Sequence, residues 1–144
     1  EFNVRFGDPE CQVTLPLLKT DLYSLLYGAA TDALHEVNLE LHDGSAVTVV
    51  LASEGYPAAP VKGRPLVGLT ALLSQTTYPE VWVNFAGVST DSDGGFVASG
   101  GRVLSCTALG KDLATTQKAA YQLMEGIDLE GGHYRTDIAF RAIR

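Results

Sequence analysis

The sequence predicts an α+β fold: an opening strand and two helices, then a β-rich module that contains one well-capped helix. Three observations carry the prediction. Phe2, Val4 and Phe6 alternate with Glu1, Asn3 and Arg5, the period of a strand with one apolar and one polar face. The stretches from Ser45 to Ser53 and from Glu80 to Leu109 are rich in β-branched and aromatic residues and are broken by glycine-containing turns. From Asp112 to Ile127 the apolar residues recur instead at helical spacing.

Each element has a local cause. After the opening strand, Gly7 frees the backbone to turn, Asp8 suits an N-cap and Pro9 suits the first helical position. Pro16 limits or kinks that helix. A second start signal at Thr20 and Asp21 opens a helix with Leu22, Leu25, Leu26, Ala29 and Ala33 on one face, ending near Leu34. Ser45 to Ser53 reads as a buried strand stopped by Gly55, Tyr56 and Pro57. LVGLTALL fits a strand or a short helix, and Glu80 to Gly87 fits a strand. The polar run TDSDGG is a turn, and Gly100 with Gly101 marks a second one, so that Phe96 to Leu109 reads as a hairpin. Asp112 caps the last helix, whose inner face is Leu113, Thr116, Ala120, Leu123 and Ile127. The closing HYRTDIAFRAI admits a strand or a turn into a short helix.

Composition sets the outer limits. A chain of 144 residues, 46% hydrophobic and 19% charged, can build one modest core. A net charge of -7 argues against nucleic-acid or anionic-membrane binding, because no basic cluster offsets phosphate repulsion. Local arginines and a metal could still hold an anionic substrate. No apolar run approaches the ~20 residues that span a bilayer, and no signal-peptide pattern opens the chain, so a cytoplasmic location is expected. Cys11 and Cys106 are far apart and outside any CxxC pattern, which fits two small buried hydrophobes rather than a zinc site or disulfide. His35, His42 and His133 lack metal-ligand spacing, and Ser99 and Ser105 lie in no nucleophile elbow.

The opening twelve residues, EFNVRFGDPECQ, carry the chemistry. On an extended strand Glu1, Asn3 and Arg5 share a face at successive spacings of roughly 6.5 to 7 Å. A carboxylate and an amide oxygen are hard donors suited to Mg²⁺, and a guanidinium beside them can hold an acyl phosphate or carboxylate. The solvated polar face of a half-exposed strand explains the same spacing. Beyond it, a Gly turn and a helix N-terminus offer free backbone N–H groups to an anion, while Asp8 can simply cap and Glu10 simply complement the dipole. Elsewhere Trp82 reads as packing, and Arg135, Asp137 and Arg141 read as a surface ion-pair cluster in preference to a group closing an active site.

These residues resemble a known family. E-x-N followed by R-F-G-D-P-E-C-Q, Arg5 to Gln12, is similar to the end of the ATP-grasp domain in glycinamide ribonucleotide synthetases, the phosphoribosylamine–glycine ligases. LPLLKTDLY, VTVVLASEGYP, SGGRVLSCTALG and YRTDIAFRAI extend the resemblance, in order, over essentially the whole chain. The resemblance implies that residues 1–34 end an ATP-grasp domain and that residues 35–144 form the ligase's C-terminal domain. It implies that Glu1 and Asn3 ligate Mg²⁺ (or Mn²⁺) on the ATP phosphates, and that Arg5 and Asp8 lie beside a glycyl phosphate and the phosphoribosylamine. The reaction so implied joins glycine to 5-phosphoribosylamine in purine (IMP) biosynthesis, giving glycinamide ribonucleotide, ADP and phosphate. It needs charge neutralisation more than a nucleophilic side chain.

The nucleotide loop, phosphate-binding lysines and adenine hinge of such a ligase have no counterpart in these residues. Together with the opening in mid-motif, this predicts a fragment that is inactive alone. ECQVTLPLLKTDLY is similar to eukaryotic forms, which allows fusion to other purine-pathway enzyme domains in the complete chain. The rival expectation is a non-catalytic β-rich binding or interaction module whose polar opening strand is only an edge.

Overall fold

The computed structural model describes residues 5–74, 76 and 80–143. Helices α1 (Cys11–Thr14) and α2 (Leu22–Ala30) precede β1 (Ser45–Ala52), α3 (Leu69–Leu73), β2 (Val81–Phe85), β3 (Val88–Thr90), β4 (Phe96–Ala98), β5 (Arg102–Gly110) and α4 (Leu113–Glu125). The α+β expectation therefore stands. Glu1 to Val4, most of the expected opening strand, lie outside the described residues, and Arg5 and Phe6 are irregular, with Phe6 55% exposed.

An antiparallel sheet in the order β1-β5-β2 forms the body. Its register pairs Val49 with Cys106 and Val83 with Cys106, so Val47, Val49, Leu51, Leu104, Cys106 and Ala108 share one face. That face packs against α4 through Ala120 and Leu123, both on the face expected from the spacing, and through Met124 beside them. Asp112 caps α4 as expected, accepting from the Thr115 amide at 2.9 Å. The Thr115 hydroxyl, first, and then its amide hold the Asp112 carboxyl below the usual carboxylate range. Burial among these side chains pushes the Cys106 thiol up to about 12.

The second face is polar. It carries Thr48, Trp82, Asn84, Ser105 and Thr107, which the same register places together. Asn84 Nδ2 donates to Thr107 Oγ1 at 2.8 Å and to Ser105 Oγ at 3.3 Å, while Trp82 Nε1 donates to Asn84 Oδ1 at 3.0 Å. Thr107 and Thr48 share a hydrogen bond of 2.8 Å, so the buried hydroxyls are satisfied.

The expected hairpin over Phe96 to Leu109 is not there. β4 pairs with β3 and β5 with β1 and β2, so β4 and β5 lie on one arm of a long bent ribbon that returns only at Asp91 to Gly95. The TDSDGG turn is real: the Asp91 carboxylate accepts from the Asp93 and Gly95 amides at 3.0 and 2.7 Å. Gly100 and Gly101 make a bend by close approach. A Cβ on Gly87 would sit 2.6 Å from Gly100 Cα, and one on Gly101 would sit 2.5 Å from the Tyr56 ring. A glycine pair read as a reverse turn thus serves to let two backbones and a ring touch.

Other expectations resolve locally. α2 is capped by Asp21, which accepts from the Ser24 amide at 2.8 Å, but it stops at Ala30 and a 3₁₀ turn (Leu34–Glu36) follows. Its expected buried face is only half covered, with Leu26 50% exposed. LVGLTALL contains the short helix α3, and the closing segment is a set of turns held to α4, where Tyr121 Oη donates to the Arg135 carbonyl at 2.7 Å.

Candidate functional site

The signature segment turns sharply after Phe6. The Gly7 carbonyl accepts from the Cys11 amide at 2.9 Å, and the Glu10 carbonyl from the Thr14 amide at 3.1 Å. α1 is a single turn, ended as Pro16 requires by a 3₁₀ turn over Leu15–Leu17. Asp8 is not its N-cap: that position falls on Glu10, which makes no side-chain capping bond. One helical turn also aligns too few peptide dipoles to make the anion site expected at its N-terminus.

What Asp8 does instead is make contacts beyond its own turn. Its Oδ1 accepts from Gln12 Nε2 at 2.8 Å, and its Oδ2 lies 3.1 Å from Arg102 Nη2. Arg102 Nη1 also donates to the Asp8 carbonyl at 2.8 Å, across 94 residues of chain. A carboxylate has about four acceptor sites, so Asp8, half exposed, keeps acceptor capacity beyond these contacts. Arg5 is exposed and donates from Nη1 to the Phe6 carbonyl at 3.0 Å. Among the described residues no ion pair or hydrogen bond joins Arg5 to Asp8. Glu1 and Asn3, the expected metal ligands, lie outside the described residues.

Two clefts flank this turn on the polar face of the sheet. One, of about 540 Å³, runs between Cys11, Gln12 and Leu15 on one side and Trp82 and Asn84 on the other. The second, of about 270 Å³, is lined by Asp8, Gln12, Asn84, Arg102 and Ser105 among others. Donors and acceptors from the signature turn and from strands β2 and β5 therefore face one small space, suited to a polar ligand.

Gln12, Asn84 and Arg102 are the site residues that sequence reasoning missed. Gln12 was legible: it stands four residues after Asp8 at the start of a helix. Arg102 was not, because nothing in SGGRVL states which distant loop its side chain will meet. Trp82, expected as packing, is half-buried and lines the larger cleft. The Arg135 and Asp137 pair is local and exposed, with bonds of 2.8 and 2.7 Å, and matches the expected surface cluster, while Arg141 stands over the Phe140 ring.

Residues 46–141 match the family described as phosphoribosylglycinamide synthetase, C domain. The chain is 49% identical over 144 residues to a phosphoribosylamine–glycine ligase of Leifsonia xyli subsp. xyli, covering 99% of this chain and 34% of that protein. It is 45% identical to a chloroplastic phosphoribosylamine–glycine ligase of Arabidopsis thaliana, covering 100% of this chain and 27% of that protein. The crystal structure of phosphoribosylamine–glycine ligase from Thermotoga maritima superposes with a TM-score of 0.68 at 36% identity, over 95% of this chain and 32% of that one. The chain thus spans about a third of the length of the relatives it matches. With the matched stretch covering β1 through α4 and the likeness continuing into the signature segment, the chain belongs to the phosphoribosylglycinamide synthetase C-domain family.

Proposed function

We propose that this chain is the C-terminal third of an ATP-dependent ligase that joins glycine to 5-phosphoribosylamine, giving glycinamide ribonucleotide, ADP and phosphate in purine biosynthesis. The observation that carries the reading is the likeness to phosphoribosylamine–glycine ligases along the entire chain, the signature Arg5 to Gln12 included. In this reading residues 1–34 complete an ATP-grasp domain and residues 35–144 are the C-terminal domain. The cytoplasmic location expected from the sequence belongs to the same proposal. No helix among the described residues is long and apolar enough to cross a membrane.

Glu1 and Asn3 would hold Mg²⁺, or Mn²⁺, since a carboxylate and an amide oxygen form the hard donor set such ions take. The bound ion would supply charge neutralisation to the ATP phosphates. Arg5, exposed and without a carboxylate partner among the described residues, has donors free for the glycyl phosphate. Asp8 keeps acceptors toward its cleft, where the ammonium or hydroxyl groups of phosphoribosylamine can donate. The chemistry is one of placement and electrostatics, with no covalent intermediate on the protein.

The test is ADP release by the full-length protein with glycine and phosphoribosylamine both present, measured for wild type, Glu1→Ala and Asn3→Ala. Turnover that needs both substrates and Mg²⁺, and that either substitution lowers by at least about 100-fold, is expected. Normal turnover in both variants would overturn the metal assignment, and a full-length protein without glycine-dependent ADP release would favour the non-catalytic module.

A further inference from the structure

We infer that Arg102 is a positioning residue for the ligase reaction: it clamps the signature turn to the central strand and thereby sets where the Asp8 carboxylate points. The inference rests on the proposed function, because it presumes that Asp8 meets substrate.

The geometry is that of a two-point grip. One guanidinium holds both the backbone carbonyl of Asp8, at 2.8 Å, and its carboxylate, at 3.1 Å. A single point contact would leave the Asp8 side chain free to rotate about its own bonds. Two contacts from one planar fork fix the peptide and the carboxylate together. Gln12 takes the other carboxylate oxygen at 2.8 Å, which leaves the remaining acceptor sites facing the shared cleft.

The clamp itself is anchored. Arg102 opens β5 opposite Ala52, where the register shifts, and its carbonyl accepts from the Gly87 amide at 3.0 Å. Just before it, Gly100 and Gly101 are pressed against Gly87 and the Tyr56 ring, and the Ser53 hydroxyl donates to the Gly100 carbonyl at 2.8 Å. The GYP and SGGR motifs, both read from sequence as plain turns, thus combine to fix one arginine. Among the described residues the signature turn has no comparable support within itself. Arg5, Phe6, Asp8 and Glu10 are exposed and α1 is one turn long. Its placement relative to the sheet must come from outside contacts, and Arg102 supplies its ion pair.

The test is a double-mutant cycle in the full-length ligase, reading kcat and KM for phosphoribosylamine and KM for ATP in wild type, Asp8→Ala, Arg102→Ala and the double variant, with Arg102→Lys as a fifth protein. Misplacement by about 1 Å can cost about 100-fold in rate, so Arg102→Ala is expected to lower kcat/KM for phosphoribosylamine by roughly 10- to 100-fold while KM for ATP stays within about twofold. Added to Asp8→Ala, the same substitution should cost less than about threefold, since the group it positions is gone. Arg102→Lys, which keeps the charge and the stem but reaches only one of the two oxygens, should fall between wild type and Arg102→Ala. It also keeps the test open should Arg102→Ala fail to fold. An equal loss from Arg102→Ala with and without Asp8 would overturn the inference, as would normal kcat/KM in Arg102→Ala or in Arg102→Lys. Normal turnover in Asp8→Ala would instead remove the proposed role of Asp8 itself.

Discussion

From Val47 onward the chain supplies every buried apolar side chain among the described residues, whereas between Arg5 and Gly44 only Gly7 and Gly28 are buried. The first region has a sheet, a helix laid across it and side chains with no exposure at all, such as Val49, Val103 and Met124. The second has two short helices, and Tyr23, Leu26 and Tyr27 on α2 and Leu34 in the 3₁₀ turn after it are about half exposed or more. The family match begins at residue 46, where the core begins. The segment that carries the signature lies outside that core and depends on the sheet for its place. A stable scaffold and a chemically informative loop are therefore different stretches of this chain, joined through Arg102 and Asp8.

The largest expected contrast is in stability. Leu104→Ala and Met124→Ala should each cost about 2 to 5 kcal/mol, because no collapse fills the space under α4. Leu26→Ala, at a half-exposed site on α2, should stay within about 0.5 kcal/mol. Urea unfolding of the three variants checks this. A cost for Leu26→Ala equal to that of the core substitutions would break the distinction between the regions.

Next is a pH effect confined to the core. The Cys106 thiol is raised from 9.0 to about 12 in the folded protein by burial. Above pH 9 the unfolded chain therefore holds fewer protons than the folded one, so stability falls as pH rises, by up to about 1.4 kcal/mol per pH unit until the folded value is reached. Below pH 9 this contribution is fully present. Cys106→Ala should flatten that slope between pH 9 and 11 in denaturant titrations, and an unchanged slope would contradict the burial argument.

Smaller still is the difference between two helix caps of the same chemistry. Asp21 is held low by the Ser24 amide first, then its hydroxyl; Asp112 by the Thr115 hydroxyl first, then its amide. Both pKa values are depressed on folding, so each cap contributes above the ordinary carboxylate value and is lost as pH falls through the folded one. Asp112→Ala should lower the melting temperature of the whole chain, because α4 is part of the core. Asp21→Ala should loosen only α2, seen as faster amide exchange there with the melting temperature unchanged.

What could be read from the sequence follows the same division. Ser45 to Ala52 and Leu113 to Glu125 were legible because burial, β-branching and capping all favoured one answer at each. The Gly100–Gly101 bend was not, since a glycine pair has the same appearance whether the chain reverses there or another backbone comes close. α2 was legible as a helix but not in its exposure, because an apolar stripe states that a face needs covering and not what covers it. At the site, Asp8 was legible only through the likeness of Arg5 to Gln12 to a family signature; the cap position expected for it falls on Glu10, and its partner Arg102 lies 94 residues away. A long-range ion pair leaves no period and no spacing in a single chain.

Asp8 and Asp137 give the central claim its most direct test, since both are exposed carboxylates paired with an arginine, one in the signature turn and one in the closing turns. The measurement is kcat/KM for the proposed reaction, glycinamide ribonucleotide formation, by the full-length protein carrying Asp8→Asn or Asp137→Asn. A loss of at least about 100-fold is expected for Asp8→Asn and a change within about twofold for Asp137→Asn. Near-normal activity in Asp8→Asn, or equal losses in the two, would contradict it.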